Sequence, residues 1–120
     1  MKILLIDDSS TMRKIQRRVL SEMNPEYDVV EAGNGKEALE KLKENRPDIV
    51  FLDIEMPELS GLDALRAIQE LGTETKVVMV TATPTAQNVL AAREGGASGF
   101  LVKPVSPKKV AEAIKACKIV

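Results

Sequence analysis

Short apolar runs along this chain are each followed by a polar residue of a distinct kind. Asp7-Asp8 follow Ile3–Ile6, Asp53 follows Ile49–Leu52, Thr81 follows Val77–Val80 and Lys103 follows Phe100–Val102. If these runs are parallel strands of one sheet, the polar residues gather beyond the carboxyl ends, where ligands of such folds bind. Three carboxylates brought to one point repel, by on the order of 4 kcal/mol for a pair about 4 Å apart at an effective dielectric of 20. Such a cluster calls for a cation. The donors are all oxygen and the chain has no histidine, so a hard ion is expected, Mg²⁺ first. Lys103 adds an ammonium and Thr81 a hydroxyl. Carboxylate nucleophile, divalent metal, ammonium and hydroxyl are the parts of phosphoryl transfer, which demands positioning and neutralisation of charge on the transferring oxygens.

Each residue alone has a plainer explanation. Asp7-Asp8 can cap the helix that follows, Asp53 can sit in an ordinary turn, Thr81 can simply end a strand and Lys103 can be a solvated charge. The weight lies in their conjunction at matching ends of consecutive strands.

The elements that would hold them are legible. Apolar runs at Ile3–Ile6, Tyr27–Val30, Ile49–Leu52, Val77–Val80 and Phe100–Val102 alternate with about five helical patterns. Three runs are nearly continuous aliphatic, as strands covered on both faces are. In the first helix Met12, Ile15, Val19, Leu20 and Met23 share a face, and Asn24-Pro25 stops it. Asn34 with Glu37 and Ser60 with Asp63 have capping-box spacing. Thr83-Pro84 and Ser106-Pro107 place a cap before a proline at the first helical position. Gly95-Gly96 can close the fourth helix, since glycine tolerates the left-handed conformation. Five β-α units imply an α/β fold with a parallel sheet and helices on both faces, the strand order left open by pattern alone.

Composition narrows the function. Aromatics are 2% of the 120 residues and tryptophan is absent, so a stacking platform for bases or sugars is not expected. Seventeen basic and 18 acidic residues leave a net charge of −1, which implies neither nucleic acid nor an anionic membrane as partner. No apolar run approaches the roughly 18 residues of a bilayer span, and the start runs into Asp7-Asp8 without a signal peptide's apolar region. The single cysteine, Cys117, shares a helical face with Val110, Ala113 and Ile114 and reads as buried packing, in a reducing cytoplasm.

Ile6-Asp7-Asp8, Asp53 followed by Met56-Pro57 and Gly61, Val80-Thr81-Ala82, and Gly96-Ala97-Ser98-Gly99-Phe100 leading to Lys103-Pro104 together resemble the receiver domain of two-component response regulators, most of all the stand-alone chemotaxis type. The resemblance runs from Lys2 to the last helix. It implies one receiver domain over 1–120 and a flavodoxin-like (βα)5 doubly wound sheet of five parallel strands in the order 2-1-3-4-5. It also implies a phospho-acceptor switch. Asp53 would take a phosphoryl group from the phosphohistidine of a sensor histidine kinase. Asp8 and Asp53 would bind Mg²⁺ directly, Asp7 mostly through water, and the Glu55 carbonyl would complete the protein ligands. Lys103 would pair with the phosphoryl oxygens, and its bond to Pro104 would be cis. Thr81, helped by the Ala82 amide, would bind the phosphoryl group and move toward it while Phe100 swings inward. The reporting face would be the fourth helix, fifth strand and fifth helix, roughly Pro84 to Ala116. The chain is thus expected to be a monomeric signalling protein rather than an enzyme, with no output domain after the fifth helix and a regulated contact with a downstream target protein as its output.

The chain departs from the chemotaxis pattern at several positions. Phe100 stands in place of Tyr, Val105 in place of Phe, and Glu55 and Thr83 in place of Asn and Glu. Glu55 is expected to slow hydrolysis by obstructing or repelling attacking water, or by pairing with Lys103. Three rivals are weaker. A phosphatase of the haloacid-dehalogenase type has a second Asp where Glu55 stands, a different motif order and a cap domain with no room here. A flavodoxin-like cofactor binder would cradle phosphate in a first loop that here opens with two carboxylates. A receiver-like module working without phosphorylation would have no need of the intact residue set.

Overall fold

The runs Ile3–Ile6, Ile49–Leu52 and Val77–Val80, made only of Ile, Leu, Val, Phe and Met, have no face suited to water, and the sheet buries them on both sides. Ile3, Leu4, Leu5, Ile49, Val50, Leu52, Val78 and Met79 are all fully buried. The computed structural model describes residues 1–56, 60–72 and 74–117. Strands β1 (Lys2–Ile6), β2 (Asp28–Ala32), β3 (Ile49–Asp53), β4 (Lys76–Thr81) and β5 (Gly99–Val102) alternate with helices α1 (Ser10–Met23), α2 (Gly35–Asn45), α3 (Gly61–Glu70), α4 (Ala86–Glu94) and α5 (Pro107–Ala116). Every ladder is parallel and the order is β2-β1-β3-β4-β5, as the resemblance implied.

Side chains alternate across the strands, so each strand feeds two cores. Leu4, Ile6, Val50, Leu52, Val77 and Met79 pack with Leu42 of α2, Leu65 and Ile68 of α3 and Ala92 of α4. On the other face Ile3, Leu5, Phe51, Val78, Val80 and Leu101 pack with Leu20 of α1 and with Val110 and Ala113 of α5. Cys117 joins this second core, and burial raises its thiol pKa above the ordinary value.

Most helix signals operate as read. Asn34, Ser60 and Ser106 cap α2, α3 and α5 by accepting from the amides of Glu37, Asp63 and Lys109. Gly96 takes the left-handed conformation (φ 87°) just past α4. Three expectations need correction. Strand β2 lies later than Tyr27–Val30, because Asp28 pairs with Lys2 and the edge strand accommodates Glu31. Helix α4 begins after Thr85, which accepts from the Asn88 amide, so Thr83 is not its cap; the Thr83 carbonyl instead accepts from the Asn88 side chain. In α1, Leu20 is buried as read, but Ile15 is 44% exposed and Gln16 is buried in its stead.

Candidate functional site

Register brings the carboxyl ends of β1, β3, β4 and β5 level. Ile6 pairs with Leu52, Asp53 with Val80 and Thr81 with Val102, so Asp7, Asp53, Thr81 and Lys103 emerge at one end of the sheet. Main-chain bonds tie those ends together. The Asp7 amide donates to Ala32 O (3.2 Å), the Ile54 amide to Val80 O (3.0 Å) and the Lys103 amide to Thr81 O (2.8 Å). The start of α3 is pressed against the same place. A Cβ on Gly61 would stand 2.1 Å from the Asp53 carbonyl oxygen, so only glycine fits there.

Asp7, Asp53 and Thr81 are 1%, 2% and 0% exposed, an unusual depth for two carboxylates. Asp8 is exposed. The three aspartates can each bring a carboxylate oxygen within 4.8 Å of the others. Asp8 does not cap α1: Ser9 does, accepting from the Met12 amide. Asp7 Oδ1 accepts from the Ser9 amide at 2.9 Å, which turns this carboxylate inward while its neighbour stays outside. Lys103 reaches over both buried acids, with Nζ 3.0 Å from Asp7 Oδ2 and 3.4 Å from Asp53 Oδ1. The Lys103–Pro104 bond is cis.

Burial pushes the Asp53 carboxyl up to about 7, and the charge of Asp7 adds to the rise against the opposing pull of Lys103. Lys103 shows the reverse balance: burial lowers its pKa, but the hydrogen bond to Asp7 and the charge of Asp53 outweigh it and the ammonium is held above its ordinary value. The site therefore holds a fixed cation and a carboxylate, Asp53, whose charge is costly. Additional positive charge would make Asp53 easier to ionise. An all-oxygen donor set of three clustered carboxylates fits a hard divalent ion.

Glu55, two residues past Asp53, donates its amide to Asp53 Oδ1 at 3.3 Å. Its carboxylate accepts from the Thr81 hydroxyl, which itself accepts from the Thr83 amide at 2.9 Å. Burial raises the Glu55 pKa, but the bond from Thr81, aided by its own backbone amide and the side chains of Asp53 and Thr83, prevails and holds it below the usual range. Lys103 pairs with Asp7 and Asp53, and the Glu55–Lys103 pair, one of the alternatives read for Glu55, is not made here. Ala82 is exposed just past β4, and Phe100 on β5 packs partly buried against the core that contains Met79. Pro57, one of the quoted motif residues, lies outside the described residues. Sequence reasoning did not find Ser9, whose amide orients Asp7, nor Arg13 and Glu31, which meet beside Asp7 from different elements.

A family model described as the response regulator receiver domain matches residues 3–115. The chemotaxis protein CheY of Thermotoga maritima is 39% identical over 114 residues, which is 94% of this chain and 93% of that protein. CheY of Bacillus subtilis is 39% identical over 113 residues, with the same shares covered. Among solved structures, a CheX-CheY-BeF3-Mg²⁺ complex from Borrelia burgdorferi superposes with a TM-score of 0.91 at 29% identity, covering 100% of this chain and 90% of that one.

Proposed function

The chain belongs to the response regulator receiver family, similar to chemotaxis CheY proteins, and we propose that it is a phospho-acceptor switch charged on Asp53. The family is one of signalling receivers rather than conventional enzymes. The observation that carries the reading is Asp53 buried beneath Lys103 and beside the Asp7-Asp8 pair. Asp8 and Asp53 would hold Mg²⁺ directly, Asp7 through water, with the Glu55 backbone carbonyl as a further ligand. Bound there, Mg²⁺ supplies positive charge to the acidic cluster and to the oxygens of a transferring phosphoryl group.

In this reading an Asp53 carboxylate oxygen attacks the phosphorus of a phosphohistidine on a sensor histidine kinase. The P–N bond breaks, and the imidazole nitrogen keeps its electron pair and takes up a proton. Lys103 moves from the free carboxylates to the phosphoryl oxygens. Thr81 leaves Glu55 and donates its hydroxyl to the phosphoryl group alongside the Ala82 amide, and Phe100 fills the space vacated. The face formed by α4, β5 and α5 carries the change to a downstream target protein. We place the protein in the cytoplasm as a single monomeric receiver; among the described residues no helix is long and apolar enough to cross a membrane.

Borohydride reduction tests the assignment of the acceptor. After incubation with acetyl phosphate and Mg²⁺, reduction should convert residue 53 to homoserine, read by peptide mass. Homoserine at Asp7 or Asp8, with residue 53 unchanged, contradicts the proposal.

A further inference from the structure

Arg13 on α1 links the acid pair to the edge of the sheet. Its Nη1 donates to the backbone carbonyl of Asp7, and its Nε donates to Glu31 Oε1 on β2 at 3.0 Å. Arg17, one turn along α1, donates to the other oxygen of Glu31 at 2.9 Å and to the Val29 carbonyl at 2.9 Å. Burial raises the Glu31 pKa, yet the bonds from Arg17 and Arg13 win and hold it low, as expected of a carboxylate shared by two guanidinium groups. The slot is tight on its far side, where a Cβ on Gly33 would stand 3.3 Å from Arg13 Nη1. Arg13 is 18% exposed, so the guanidinium sits in the structure rather than sampling solvent.

What this fixes is the peptide between Asp7 and Asp8. The Asp7 amide is held by Ala32 O, its carboxylate by the Ser9 amide and Lys103, and its carbonyl by Arg13. With that carbonyl held, the Asp7-Asp8 peptide plane is fixed, and with it the direction in which Asp8 leaves the strand. Asp8 itself is exposed.

We propose that Arg13, clamped by Glu31, is a positioning residue that sets the Asp7-Asp8 peptide plane and thereby the affinity of the acidic cluster for a divalent cation. The inference rests on the metal-site reading above. Groups that orient ligands from behind typically change metal affinity about tenfold or more when removed. The sign separates positioning from plain electrostatics. A guanidinium near a cation site repels the cation, so an Arg13 acting only through its charge would weaken binding, and its removal would tighten it. A positioning Arg13 does the opposite. Lysine keeps the charge but cannot reproduce the fork that holds carbonyl and carboxylate together.

The test is Mg²⁺ titration by calorimetry on the whole chain, with metal-free thermal unfolding run beside it to confirm that each variant is folded. Arg13→Lys and Arg13→Ala should both bind Mg²⁺ about tenfold more weakly than wild type, and Glu31→Gln should fall between. Arg18→Ala, which removes the same charge from the same helix at the exposed Arg18–Glu22 pair, should bind as wild type does. Equal or tighter binding by Arg13→Lys overturns the clamp. No Mg²⁺ binding by wild type, or binding that survives Asp8→Ala unchanged, overturns the metal-site reading instead.

Discussion

The two ends of the sheet carry the same residue types under different conditions. At the amino end Lys2 faces Asp28 at 3.7 Å, with side chains 33% and 64% exposed, and Asp48 accepts the Lys2 amide at the surface. At the carboxyl end Lys103 faces Asp7 at 3.0 Å and Asp53 at 3.4 Å, with both aspartate side chains 3% exposed or less. Water screens the first set. The second set has little water to share, so burial and the nearby charges act directly on Asp53 and Lys103. Burial, not residue type, separates a screened surface pair from a tightly coupled cluster.

The largest difference between the ends should appear on removing the lysine. Lys103→Met leaves two buried carboxylates without a counter-ion and should cost about 3 kcal/mol in metal-free buffer at pH 8. Lys2→Met should cost less than about 1 kcal/mol. Equal losses in denaturant titrations would break the comparison.

A pH series sharpens it. Asp53 keeps its proton to about 7 when folded, against an ordinary value of 3.8. Between these values the folded state holds more protons than the unfolded one, so metal-free stability should fall as pH rises from 5 to 8. Glu31 and Glu55 are shifted the other way, and their contribution is complete above their unfolded value of 4.5. Asp53→Asn should therefore flatten the slope in that window. A slope that persists in the variant places its origin elsewhere.

A smaller effect of opposite sign is expected at Asp8. It is exposed, so repulsion by the buried pair is closer to the aqueous value of about 1 kcal/mol, and Asp8→Ala should stabilise the metal-free protein by roughly that much. Asp28→Ala at the other end should bring no such gain. A loss on Asp8→Ala would mean that the side chain supports the fold. The smallest effect concerns turnover of the adduct. Glu55→Asn should shorten the life of the phosphoryl group by about threefold; an unchanged decay rate would leave Glu55 no part in hydrolysis.

Much of this was legible in the sequence because the signals were local. Continuous aliphatic runs marked β1, β3 and β4, and the rule that sites form beyond the carboxyl ends of such strands picked out Asp7, Asp8, Asp53, Thr81 and Lys103. What stayed hidden depends on contacts distant in the chain. Nothing near Arg13 points to Glu31, 18 residues away. Whether Glu55 would meet Lys103 or Thr81 is a choice of rotamer, and burial of Lys103 over the two aspartates decides it. Ile15 is exposed and the polar Gln16 buried because helical spacing alone does not fix how α1 is rotated against the sheet. The start of α4 was misplaced because Thr83-Pro84 and Thr85 both precede a helical pattern, and only the backbone settles which threonine is the cap.

The most direct test of the account is intact mass after incubation with acetyl phosphate, with and without Mg²⁺, for wild type and Asp53→Ala. The account predicts one labile phosphoryl adduct that requires both the ion and Asp53. An adduct that persists in Asp53→Ala, or none at all where a known receiver is labelled in parallel, would contradict it.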